Sequence, residues 1–369
     1  MKISKQQILM ILLLLIIGYV YSMYKGKLSN DTEKEERDLI QKFLATDVNK
    51  MDRKKPFLWI PVEYEMNERQ WLNFGSRNTT NLNQPYLYLT IRSIVEKCGD
   101  SFNICIIDDN VFNKLIPDWT IHVNRLTHPL RPHMRELAMA QLLNKYGGMR
   151  LPPSFVCFQD LITLYELGIY SKTVSSSDGN GNGNNGNNGN NGNGNNGNNG
   201  NNGVGIGNKN NDDGDMTSGS VFVAEMVSKS ITSSSIAYAP NPKIMGCRKN
   251  SVMMRKYIEY LEVLISKDYT EEMDFEGKIS KWFFNQVSKG AVNIIKPELF
   301  GGKKADDSPV ILDNLMSDTN MELSKESFGL YIPADDLIKR RNFGWFVRMS
   351  PSQVLESNTQ IAKYLLAMN

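Results

Sequence analysis

The sequence predicts an α/β fold: a mostly parallel sheet with flanking helices, preceded by an N-terminal membrane helix. Three observations point there. Short β-rich apolar runs at 56–64, 101–109 and 155–158 alternate with helical apolar spacing at 84–98 and 136–146, and strands separated by helices close into a parallel sheet through right-handed crossovers. Apolar residues make up 41% of the 369-residue chain, enough for a substantial core. Residues 8–20, ILMILLLLIIGYV, form an unbroken apolar run between Lys2 and Lys5 on one side and Lys25 and Lys27 on the other.

That run opens the chain. A membrane helix needs about 20 mostly apolar residues, and residues 6–24 reach that length, with Tyr21 and Tyr24 where an interfacial belt falls. Residues 1–24 are therefore expected to be a single-pass anchor. A cleavable signal competes, because Val20-Tyr21-Ser22 fits a signal-peptidase site, although the tyrosines are poor context for cleavage. Positive charge at both ends leaves the orientation open. The sequons at Asn30 and Asn78 suit a lumenal, glycosylated body. Residues 25–55 are charged, with little apolar periodicity before Leu39, and read as a stalk.

The body then begins. PFLWIPVEY (56–64) reads as a strand. In 84–98, Leu87, Ile91, Ile94 and Val95 share one helical face, and Cys98-Gly99 ends the helix. SFNICIIDD (101–109) has the continuous apolar character of a buried parallel strand. VFNKLI is a short helix stopped by Pro117, WTIHV (119–123) a further strand, and ELAMAQLLNKY (136–146) a helix closed by Gly147-Gly148. FVCF (155–158) is expected as the next strand. Residues 171–216 form an insert, and from 178 onward it is nearly pure Asn and Gly. Too few apolar side chains occur there to offset the entropy of ordering, so disorder is expected. The insert interrupts one body, 56–170 and 217–369, because VFVAEMV (221–227) resumes a strand. An apolar patch at 236–247, helices near 249–266 and 275–288, and a strand at 292–300 follow. Near the end, Ser350 is placed as an N-cap with Pro351 at the first helical position.

Composition excludes some functions. With 42 basic and 40 acidic residues the net charge is +2, which lacks the basic face of a nucleic-acid binder. Four cysteines form no Cys-x-x-Cys pair, and there are only three histidines, so a zinc site of ordinary spacing is not expected. Cys105 and Cys157 lie in apolar runs and read as buried thiols; a disulfide stays open if the body is lumenal.

Residues 137–158, LAMAQLLNKYGGMRLPPSFVCF, resemble the sugar-binding region of Asp-x-Asp glycosyltransferases, including capsular polysaccharide synthesis and initiating mannosyltransferase types. There a helix carrying Asp and Arg runs into a Leu-Leu-x-x-Tyr-Gly-Gly turn, and a strand with Asp-x-Asp follows. IIDDN at 106–110 is similar to the end of that family's second strand. The Pro-Pro after Gly-Gly is similar to large DNA virus proteins on this scaffold. The resemblance covers 56–170 well and 217–349 faintly. It implies a GT-A-like (Rossmann-like) body, a nucleotide-sugar ligand, and a location in a host endomembrane or virion membrane.

The departures fall on the chemistry. Where the resemblance puts the helix Asp and Arg, this chain has Arg135 and Met139; where it puts the two ligand aspartates, it has Pro152 and Ser154. Mn²⁺ and Mg²⁺ take hard oxygen ligands, carboxylates above all, so no metal or other cofactor is expected unless a diverged site supplies carboxylates elsewhere. The candidate catalytic residues are then Asp108, Asp109 and Glu136. Asp108 and Asp109 end a strand at the sheet edge where open α/β sheets bind ligands, and they also suit the cap of the next helix. Arg131, His133, Arg135 and Arg150 are the candidate substrate-binding residues, since arginines hold a diphosphate without a metal; an exposed helix start is the simpler account of the first three. Asp306-Asp307 and Asp335-Asp336 read as solvated turn residues. Phe343, Trp345 and Phe346, near Arg340, Arg341 and Arg348, suit packing or ring stacking. Two functions follow: a membrane-anchored structural or interaction protein on a glycosyltransferase scaffold, or an active, metal-independent glycosyltransferase. The expected partners are a membrane and, for the enzyme, a nucleotide sugar.

Overall fold

The structure is a computed structural model, and it describes residues 5–45, 48, 51–64, 81–170, 221–228, 237–267 and 272–368. Its centre is a six-stranded sheet ordered β2-β1-β3-β6-β5-β7. The strands are β1 (Phe57–Pro61), β2 (Asn103–Ile107), β3 (Gly148–Arg150), β5 (Val221–Ser228), β6 (Ala237–Cys247) and β7 (Asn293–Ile295). β1 runs parallel to β2 and to β3, and β5 to β7; β6 is antiparallel to both neighbours. The fold is thus α/β with a mostly parallel sheet and flanking helices. The segments on either side of the Asn/Gly-rich insert share this sheet through the β3–β6 pairing. The tract itself and Asn78 lie outside the described residues.

β1 and β2 are apolar without alternation because both faces of the sheet are covered. On one face Leu58, Ile60, Ile104 and Ile106 pack with α2 (Leu87–Cys98), β4 (Phe155–Cys157) and α5 (Ile162–Tyr170). On the other, Trp59, Cys105 and Ile107 pack with α3 (Phe112–Leu115), α4 (Leu130–Tyr146), α6 (Val252–Ile265) and α7 (Glu272–Ser288). The glycine turn joins α4 to β3. Gly147 and Gly148 have φ of +73° and +98°, and a Cβ on Gly148 would run into the Phe57 carbonyl. Only glycine allows both that backbone and that approach. Trp59 Nε1 donates to the Gly147 carbonyl at 2.9 Å and ties the turn to β1.

Four expectations are corrected. The strand at 119–123 does not form: Trp119 Nε1 donates to the Ile121 carbonyl at 2.8 Å, and Val123–Arg125 is a 3₁₀ turn. The outer edge of β2 meets the residues after α1 (Lys5–Phe43), where Leu44 bridges Ile106 and the Ala45 amide donates to the Ile106 carbonyl at 2.9 Å. The strand at 155–158 forms as β4 but stands outside the parallel sheet, antiparallel to β8 (Gly329–Tyr331). Residues 25–55 are not a separate stalk, because α1 runs unbroken over Lys5–Phe43 and Ile40, Ala45 and Val48 are buried on the body. The strand at 292–300 stops at Ile295, and Pro297–Phe300 is a 3₁₀ turn. Among the described residues no helix is long and apolar enough to cross a membrane. The described large apolar side chains near the start of α1, from Met10 to Val20, stand exposed.

Candidate functional site

The carboxyl ends of β1 and β2 lie side by side, held by the Val62 amide donating to the Ile107 carbonyl at 2.8 Å. Glu63 leaves one strand there, and Asp108 and Asp109 leave the other. The first turns of α4 bring Arg131, His133, Arg135 and Glu136 toward the same edge.

Asp108 builds the turn into α3. Its carboxylate accepts from the Asn110 amide at 2.9 Å and the Asn110 Nδ2 at 3.3 Å, and its carbonyl accepts from the Val111 amide. This is the capping role of a short acidic side chain. Asp109 instead receives a two-pronged bond from Arg135, Nε to Oδ1 at 2.6 Å and Nη2 to Oδ2 at 2.7 Å, and Arg135 Nη1 pairs with Glu63. Burial favours the neutral arginine, but the Asp109 hydrogen bonds and the Glu63 charge outweigh it and hold Arg135 more firmly protonated than usual. Burial also leads at Glu63 and raises its carboxyl above the ordinary range, despite the pull of Arg135.

Glu136 forms a second, deeper group. Arg150 Nη1 donates to its Oε2 at 2.6 Å, and the Tyr257 hydroxyl donates to Oε1 at 2.7 Å. Burial, then the Glu136 charge, lifts the Tyr257 phenol well above its ordinary pKa. Arg131 braces the preceding loop through the Leu126 and Asn124 carbonyls at 2.7 and 3.2 Å. His133 is buried against α7, its ring stacked on Phe275 with centroids 3.7 Å apart. Of the candidates, then, Asp109 meets Arg135 and Glu136 meets Arg150, while Asp108 turns the chain into α3, Arg131 braces its loop within the field of Glu63, and His133 stacks on Phe275.

The chain gathers further charge here that sequence reasoning missed. Lys243, midway along β6, pairs with Asp335 at the start of α9 (Ala334–Lys339) and lies 3.8 Å from Glu276 of α7. Burial opposes ionisation of Asp335, but Lys243 overcomes it and holds the carboxyl below the ordinary range. Asp335 also acts on Arg135, so both ion groups belong to one field. The patch is partly buried. Desolvation is the leading influence on Glu63, Arg135, Lys243 and Asp335, yet 51% of the Glu63 side chain and 57% of the Asp335 side chain remain exposed. Asp335 had looked like a solvated turn residue, and Lys243 lay inside an apolar patch. Nothing local in the sequence joins residues so far apart.

The positions where the resemblance places metal ligands do not fit a divalent ion. Pro152 is buried. Ser154 is buried too and donates to the Ile332 carbonyl at 2.7 Å, while Met139 is core. Among the described residues no group of three or more His, Cys, Asp or Glu side chains is placed to hold a metal. Two cavities lie elsewhere. One of about 270 Å³ opens between the loops carrying Lys304, Asp306 and Glu322 and the helix residue Asn314. One of about 60 Å³ lies under α8 (Leu312–Met316), between Phe300 and Tyr331. No family model matches the chain, and neither does any curated protein or solved structure.

Proposed function

We propose that the chain is a membrane-anchored protein on a GT-A-like, glycosyltransferase-type scaffold, in which the donor and metal site has become structural and the role is structural or one of interaction. The observation that carries this reading is the strand end after the glycine turn. Where transfer chemistry calls for two carboxylates on a metal, the chain has a buried proline and a serine whose hydroxyl is bonded into the core. The arginines best placed for a diphosphate support it as well, since Arg135 is forked onto Asp109 and Arg150 is bonded to Glu136. Anchoring is supported by the exposed run from Met10 to Val20, since a contiguous apolar surface of this kind calls for a covering phase. The test is calorimetry of the full chain in detergent with UDP- and GDP-sugars across a Mn²⁺ titration. The expected result is no metal-dependent binding. Tight, Mn²⁺-dependent donor binding would overturn the reading.

The second reading, a metal-independent transferase, is favoured by the cluster of charged side chains Glu63, Asp109, Arg135, Lys243 and Asp335 at the carboxyl edge of the sheet, where ligands bind in open α/β folds. It requires metal-free donor binding that Lys243→Met weakens at least about tenfold, the effect of one charge-assisted bond.

A further inference from the structure

Cys98 is the last residue of α2 and Cys157 the last of β4. Their sulfurs lie 3.7 Å apart, and both residues are fully buried. The seam in which they stand fixes that approach. Thr90 Oγ1 donates to the Pro153 carbonyl at 2.5 Å, the Cys157 amide donates to Ser93 Oγ at 2.9 Å, and the Ser101 hydroxyl bonds the Asp160 carboxylate. Polar links thus hold the two segments together on either side of the sulfur pair, and neither slides without breaking one. A disulfide needs sulfurs about 2.05 Å apart, so each has to move by less than about 1 Å, within reach of a modest side-chain rotation.

The other two cysteines are out of reach. Cys98 and Cys157 belong to the core on one face of the sheet, Cys105 and Cys247 to the core on the other. Cys105 on β2 and Cys247 on β6 are themselves separated by β1 and β3. That puts them about 14 Å apart at the usual strand spacing, against a limit of about 7 Å between bridged Cα atoms.

We propose that Cys98 and Cys157 form a disulfide that clamps α2 to β4, closed during folding by exchange with a small-molecule disulfide such as oxidised glutathione or with a disulfide-exchange protein. One cysteine thiolate attacks the donor disulfide and releases one donor thiolate. The second cysteine thiolate then attacks the mixed disulfide and releases the other. The Cys98–Cys157 bond forms, the donor bond breaks, and the two protons and two electrons leave with the two donor thiols. In the finished fold this route is closed. Neither sulfur meets water, and the hydrogen bond with Cys98, reinforced by burial, holds the Cys157 thiol far above its usual pKa. The attacking thiolate is therefore suppressed. The bond closes before the core does, and afterwards the same burial shields it from reductants. Such a bond persists in an oxidising compartment, which places the body on the lumenal or external side of the membrane.

The test is refolding of the full chain from denaturant in detergent with a glutathione redox buffer, then alkylation without reduction and peptide mapping. The expected result is that two of the four thiols are alkylated, that the Cys98 and Cys157 peptides are linked, and that the thermal midpoint stands about 10 °C above that of the reduced chain. Cys98→Ala and Cys157→Ala should each lose the link and the rise. If either variant fails to fold, the map of the unmutated chain decides alone. Four alkylated thiols, or a link through Cys105 or Cys247, would overturn the proposal.

Discussion

Glu136 has two partners, and each holds a different oxygen. With Arg150 and Tyr257 both in place the buried carboxylate is satisfied; with either removed it is not. Leaving a buried charge unpaired costs far more than the pair contributes. Arg150→Met is therefore expected to lose about 3 kcal/mol of stability, and Tyr257→Phe about 1–2 kcal/mol, read by urea unfolding. If Arg150 served a ligand instead, its loss would weaken nucleotide binding and leave the unfolding midpoint nearly unchanged. Glu63 gives a pH signature of definite sign. Its folded carboxyl pKa is raised above 4.5. Above that pH the unfolded group has lost its proton while the folded one keeps it, so stability falls as pH rises through the window, until the folded group ionises too. Glu63→Gln should remove that fall. A chemical-denaturation series between acid and neutral pH, with the same slope in both proteins, would show the assignment to be wrong.

At the scale of single elements, the glycine turn and the late helix cap are the most exposed to test. Gly148→Ala meets the Phe57 carbonyl and an unfavourable φ of +98° together. The cost should be about 3 kcal/mol or more, seen as a large drop in thermal midpoint. A near-neutral result would mean that β1 and β3 are not held as closely as described. Ser350 caps α10 (Pro351–Leu355) in a reciprocal box with Gln353, at 3.3 and 3.0 Å. Ser350→Ala should cost about 1 kcal/mol, while Ser350→Asp should restore most of it. The cap was legible because its determinants lie within four residues. The missing strand at 119–123 was not, because an apolar β-prone run does not say whether a partner strand lies beside it.

For the whole molecule, α1 joins two environments. Its described apolar side chains from Met10 to Val20 are exposed, while Ile40 near its end, and Ala45 and Val48 just after it, are buried on the body. On the anchored reading proposed above, a chain beginning at residue 35 should be absent from the carbonate-extracted membrane fraction that retains the full chain, and should keep its thermal midpoint. A chain beginning at residue 51 should lose about 4 kcal/mol, from the burial of Ile40, Ala45 and Val48, and should aggregate through the bared edge of β2. Equal midpoints for the two truncations would show that α1 does not seal the sheet.

The sequence by itself determined the α/β class, most elements, the glycine turn, the Ser350 cap and the absence of carboxylates at 152 and 154. Each of these rests on residues close together in the chain, or on a periodicity that reports which faces are buried. Tertiary structure alone decided which sheet β4 joins, what covers β2, and which charges meet. Periodicity marks 155–158 as a strand but does not name its partner, β8, from far along the chain. Likewise Glu63, Lys243 and Asp335 are ordinary polar residues in their local contexts. They become one cluster of ion pairs because the sheet edge, β6 and α9 converge. In that setting the field of one charge reaches the next.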